Sequence, residues 1–96
     1  MRGLEQIKKE LQKIKPELTR KYHVRTIGLF GSIVRNDFSP HSDIDIIVDF
    51  DRAVGIEFID LATYIENILH QKIDLVSKKG IKEKYFKSLE PEIVYV

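Results

Sequence analysis

The chain has no cysteine, only three prolines and five glycines, and a net charge of just +1 across its 96 residues. Without cysteine there is no disulfide framework, no thiolate metal site and no cysteine nucleophile. No apolar run approaches the roughly 20 residues that cross a bilayer. The opening Met1-Arg2-Gly3-Leu4-Glu5 leads into a charged amphipathic stretch, not an apolar signal core. A cytoplasmic protein with no membrane partner is the expectation. A charge near zero gives no whole-molecule field to recruit nucleic acid, so direct nucleic-acid binding is not expected. Apolar content of 43% with 32% charged residues is ordinary for a globular protein. A chain this short holds one modest core, and the sequence reads as a single domain, residues 1–96.

No repeat, low-complexity tract or linker interrupts the sequence. Leu4, Ile7, Leu11, Ile14, Leu18 and Tyr22 fall at helical spacing, and Pro16 is expected to kink or divide that helix because it has no N–H to donate. Val24 to Phe30 reads as a strand, broken by Gly31-Ser32. Ser32 is suited to cap a short helix ending near Arg35, and Asn36 to His41 has the composition of a loop. From Ser42 to Phe50 the residues alternate. Ile44, Ile46, Val48 and Phe50 share one strand face, and Asp43, Asp45, Ile47 and Asp49 share the other. Phe58, Leu61, Ala62, Ile65, Ile68 and Leu69 define a second amphipathic helix. Lys72 to Ser77 is a third strand, Ile81, Tyr85 and Leu89 a short helix, and Glu92 to Val96 a closing strand. The α-β-α-β-α-β-α-β order implies an α/β (α+β) open sheet with its long helices on the Ile44/Ile46/Val48 face. The aspartate face is left free for chemistry.

Three features can carry that chemistry. Residues i and i+2 on a strand point the same way, roughly 6.5–7 Å apart, so Asp43 and Asp45 can reach one Mg²⁺ or bridge two. Gly31-Ser32 lies where a strand ends and a helix begins, which aims backbone N–H groups at an anion. Ser32 can donate to a phosphate oxygen, and Arg35, one turn on, can pair with one. Asp74 should point away from the core. If its strand lies beside that of Asp45 the three carboxylates converge, a repulsion that a divalent cation relieves, and Asp74 becomes a metal ligand or a base. Each feature alone also has an ordinary structural explanation, as a half-exposed strand aspartate, a helix cap or a surface arginine. His23, His41 and His70 have no metal-ligand spacing, and His41 is the one placed to approach a substrate.

The combination is far more specific than its parts. Gly31-Ser32, ten residues, then Asp43-Ile44-Asp45 resembles the GSX₁₀DXD signature of the DNA polymerase β-like nucleotidyltransferase superfamily. Leu29 to Arg35, Ser42 to Val48, Lys72 to Val76 and Glu92 to Val96 are similar in particular to its minimal members, the MNT domains paired with HEPN-domain toxins. The resemblance implies a nucleotidyltransferase fold with a small mixed sheet. It implies Asp43, Asp45 and Asp74 around two Mg²⁺ ions, and Gly31, Ser32 and Arg35 at the triphosphate of ATP or another NTP. It implies transfer of NMP, AMP above all, to a hydroxyl such as a tyrosine of a HEPN partner, with this chain as antitoxin. Asn36 and His70 stand where that family often has Gly, which bears on loop shape only. Two other functions stay open: a non-catalytic antitoxin that acts by contact, and a small-molecule nucleotidyltransferase of the antibiotic-modifying kind. The base, the acceptor, the number of nucleotides transferred and any self-association are open as well.

Overall fold

The structure is a computed structural model that describes residues 3–96; Met1 and Arg2, with which the amphipathic opening begins, lie outside the described residues. The elements are α1 (Leu4–Tyr22), β1 (Val24–Phe30), α2 (Ser32–Arg35), β2 (Ile44–Phe50), α3 (Glu57–Leu69), β3 (Ile73–Ser77), α4 (Glu83–Leu89) and β4 (Val94–Tyr95). Short 3₁₀ turns, Lys78–Gly80 and Glu90–Glu92, flank α4.

The sheet order is β3-β2-β1-β4. β1 runs antiparallel to β2 and to β4, whereas β3 is parallel to β2. A parallel pair needs a crossover that returns the chain to the same end of the sheet, and α3 supplies it. Ile44, Ile46 and Val48 of β2 are fully buried beneath Ile7, Leu11 and Leu18 of α1 and Leu61, Ile65 and Leu69 of α3. Each such side chain contributes about 1.5–3 kcal/mol on burial, so one face of the sheet carries nearly all of the core. The expected mixed sheet with its long helices on one face is what forms, and the short α4 lies on the other.

α1 runs unbroken through Pro16, contrary to the expected kink or division. Pro16 is exposed, so the carbonyl four residues back that loses its donor faces water, which can satisfy it. Three helix ends fall in left-handed backbone without glycine: His23 (φ 63), Asn36 (φ 67) and His70 (φ 53). Asn36 therefore takes the conformation that its tolerance of left-handed backbone anticipates.

The second face is not open throughout. Asp45 is only half-buried, but Ile47 is 3% and Asp49 8% exposed. The 3₁₀ turn at Lys78–Gly80 packs against β2, and the Arg25 Nη1 of β1 lies 3.9 Å from an Asp49 carboxylate oxygen. The free part of that face is the end carrying Asp45 and Asp74. Asp49, unassigned from the sequence, is a buried residue with one carboxylate oxygen lacking a partner.

Candidate active site

Asp45 on β2 is in register with Asp74 on β3 and with Phe30 on β1. Register partners on adjacent strands lie about 4.8 Å apart and project to the same face, so the Asp74 carboxylate emerges beside that of Asp45. Asp43 is exposed, immediately before the first residue of β2. Burial is the first cause that pushes the Asp45 carboxyl above its ordinary range; the charges of Asp74 and then Asp43 add to it, while Arg35 opposes them. The structure brings Asp43, Asp45 and Asp74 into one electrostatic cluster.

Among the described residues, no three His, Cys, Asp or Glu side chains close into a cage able to hold an ion alone. The donor set nevertheless fits Mg²⁺. It consists of hard carboxylate oxygens at an open sheet end, and Mg²⁺ takes one or two carboxylates while keeping waters and substrate phosphate oxygens. The raised Asp45 carboxyl marks a like-charge conflict that a divalent cation relieves.

Gly31 sits at the junction of β1 and α2 with φ 78 and ψ −149. A Cβ built there would overlap the Asp45 carboxylate. The glycine thus leaves the Asp45 carboxylate in its place, in addition to the close phosphate approach read from the sequence. It is also the residue that caps α2, with no side-chain cap bond, and Ser32 is the first helical residue; Ser32 is not the N-cap that was expected. The carbonyl of Gly31 accepts from the amides of Val34 and Arg35, and the amides of the first helical turn have no acceptor within the helix. The Ser32 hydroxyl stands beside them, half-buried.

Arg35 ends α2, and its Nη1 donates to Glu92 Oε1 at 2.8 Å, with Asp37 3.7 Å from its Nε. Glu92 was expected in the closing strand, yet it closes a 3₁₀ turn ahead of a two-residue β4. That turn directs its carboxylate at Arg35, and its charge is also felt by Asp45. Sequence reasoning missed Glu92, whose signal is the Glu90-Pro91-Glu92 stop before the apolar closing segment. His41 lies exposed in the loop before Asp43. That loop is tied by the Ser39 amide to Ser42 Oγ at 3.2 Å and by the Ser42 amide to the Ser39 carbonyl at 3.0 Å.

A cleft of about 430 Å³ opens beside the acids, with Phe30, Asp74, Val76, Tyr85, Leu89 and Glu92 among its lining. Tyr85, one of the residues whose spacing suggested the short helix α4, is 59% exposed there.

A profile of the family described as Polymerase beta, Nucleotidyltransferase matches residues 12–93. The chain belongs to this nucleotidyltransferase family. It is 41% identical to the protein adenylyltransferase MntA of Thermococcus cleftensis, over 100% of this chain and 98% of that one. The solved structure of a provisionally named minimal nucleotidyltransferase superposes with a TM-score of 0.84 at 21% identity, over 97% of this chain and 95% of that one. The MNT antitoxin complex with the tri-AMPylated HEPN toxin of Shewanella oneidensis gives a TM-score of 0.66 at 24% identity, over 93% of this chain and 70% of the matched one. At those identities the two structures speak for the fold alone. The family match and the adenylyltransferase relative make this chain an enzyme of the nucleotidyltransferase class, with an NTP as its substrate. No helix among the described residues is long and apolar enough to cross a membrane.

Proposed function

We propose that the chain transfers AMP from ATP to a tyrosine hydroxyl of a HEPN-type partner protein, and so acts as the antitoxin of a toxin–antitoxin pair. The observation that carries this reading is the register of Asp45 with Asp74 beside the Gly31 corner. The names of the adenylyltransferase relative and of the antitoxin–toxin complex support the acceptor and the partner.

The amides that open α2 and the Ser32 hydroxyl bind the β- and γ-phosphates, and Arg35 pairs with a phosphate oxygen once it exchanges away from Glu92. Asp43, Asp45 and Asp74 would hold Mg²⁺, with room in the proposed mechanism for two ions. Bound there, Mg²⁺ supplies charge neutralisation and polarises the phosphoryl oxygens. Asp74, the exposed member of the registered pair, takes the proton of the attacking hydroxyl. The hydroxyl oxygen bonds to the α-phosphorus, the bond to the β-phosphate oxygen breaks, and pyrophosphate leaves with that electron pair. The protein's contribution is placement and charge.

Labelled ATP, Mg²⁺ and the product of the neighbouring gene provide the test, with Asp43→Asn and Asp74→Asn as controls. Label should appear on a tyrosine of the partner and vanish in both variants. Neutralisation of the partner that survives both substitutions with no label transferred would replace catalysis by simple contact.

A further inference from the structure

The hydrogen bond from Arg35 to Glu92 stands at the corner assigned above to the phosphates of the nucleotide. We propose that Glu92 is a resident competitor for those phosphates: its carboxylate occupies Arg35 in the nucleotide-free protein, yields it to the triphosphate, and takes it back as pyrophosphate leaves. This rests on the proposed function. It adds a positioning residue that sets how tightly phosphate is held and how readily it is released.

Placement is the first argument. β4 pairs antiparallel with β1 through Gly28 with Tyr95 and Leu29 with Val94. Continued by two residues, that register sets Glu92 opposite Gly31, at the corner itself. The chain does not run on there as a strand. Pro91, which has no N–H for a ladder, sits in the 3₁₀ turn that ends at Glu92, and the Ile93 amide donates to the Glu90 carbonyl at 3.1 Å. Ile93 anchors the turn, because its side chain fills the space beside Gly28. Across the gap, Asn36 in left-handed backbone stops α2 directly after Arg35. Both partners are thus set by the backbone, and they meet across 57 positions of sequence.

Charge is the second. Asp45 feels Arg35 and Glu92 with opposite signs, so the pair lies within electrostatic reach of the acids that face the phosphates. Glu92 also lines the cleft that Asp74 lines. When Arg35 turns to a phosphate oxygen, the Glu92 carboxylate is left beside another anion without its counter-charge. Like charges so placed disfavour the bound state, which promotes release.

The contact is built for exchange. Arg35 is exposed and Glu92 only partly covered, and pairs of that kind contribute little to the fold. The bond joins Nη1 to one carboxylate oxygen at 2.8 Å, whereas the planar fork of a guanidinium can grip a phosphate at two points. A triphosphate therefore displaces the carboxylate, and its apparent affinity falls by the share of protein in which Arg35 is occupied.

The test is calorimetric titration of the full chain with ATP and, separately, with inorganic pyrophosphate, each with Mg²⁺. Glu92→Gln should bind both about two- to five-fold more tightly, the span of an exposed ion pair. Pyrophosphate should inhibit that variant more strongly by the same factor. Glu92→Ala should behave as Glu92→Gln does, with melting curves confirming that both are folded. In an Arg35→Ala background the gain should shrink, because the competition runs through the guanidinium. Unchanged or weaker binding by folded Glu92→Gln overturns the inference and makes the pair a clip for the closing turn. An undiminished gain in the Arg35→Ala background overturns it too, since Glu92 would then act by repulsion alone. Neither titration needs an acceptor. Tighter binding with no transfer to any hydroxyl counts against the nucleotidyltransfer reading and leaves the role of Glu92 standing. Failure of every form to bind ATP or pyrophosphate removes both.

Discussion

The Asp45 carboxylate occupies the space into which a side chain at position 31 would project, so a Cβ at that position would force the carboxylate aside. The Gly-Ser corner and the acidic pair are thereby one interlocked unit, although the eleven residues between Gly31 and Asp43 make them look like two motifs in the sequence. A methyl at position 31 meets two costs: backbone at φ 78 and ψ −149, worth of order 1–3 kcal/mol for a non-glycine residue, and displacement of Asp45. Gly31→Ala should lower stability in urea titrations and abolish transfer. In an Asp45→Ala background the same change should cost less, because only the backbone term remains; equal costs in both backgrounds would show that the two residues do not interact.

Asp45 also carries a pH signature. Its carboxyl lies above the ordinary value of 3.8, first through burial and then through Asp74 and Asp43. A group raised in the folded state stabilises the protein fully below the unfolded value, and that contribution is lost as pH rises through the folded value. The metal-free protein at neutral pH therefore bears an unfavourable charge at Asp45. Asp45→Asn should melt at the same temperature as the native chain near pH 3.5 and above it at pH 7, while losing activity. Mg²⁺ or Mn²⁺ should raise the melting temperature of the native chain more than that of the variant. Equal melting temperatures at pH 7 without metal would remove the conflict on which this rests.

What could be read from the sequence was whatever follows from alternation. Ile44, Ile46 and Val48 against Asp43 and Asp45 gave the face and direction of the acids, and the lone Asp74 in an apolar run gave the third. Long-range contacts were not readable in the same way. Glu92 reaches Arg35 across 57 positions through a 3₁₀ turn, and no local pattern distinguishes that turn from the start of a strand. Asp49 continues the acidic alternation but is buried, on a strand against which a turn some 30 residues later packs. Pro16 breaks a hydrogen bond but not its helix, because packing of Leu11 and Leu18 on either side holds the axis.

His70 closes α3 in left-handed backbone at φ 53 and is exposed. A β-carbon is disfavoured there, and glycine is the residue most suited to such a helix end. His70→Gly should stabilise the protein by about 0.5–1 kcal/mol in urea titrations, with transfer unaffected. A loss of stability would mean that the imidazole makes a contact that offsets the backbone cost.

Under the proposed function Arg35 pairs with a phosphate, and its removal should separate binding from folding. Its guanidinium is more than half exposed, at 55%, and paired with Glu92 and Asp37. Exposed ion pairs contribute about 0.2–1 kcal/mol to stability, so Arg35→Ala should move the melting temperature only slightly. A hydrogen bond from a charged group to a phosphate is worth about 1.5–3 kcal/mol, which predicts a rise in the ATP KM of roughly ten- to a hundred-fold. Arg35→Lys should recover part of the charge but not the planar fork that grips two oxygens, leaving an intermediate KM. If Arg35→Ala left the ATP KM unchanged while the fold stayed intact, the arginine would belong to the Glu92 contact alone, and the triphosphate would be held by the amides of α2 and the metal.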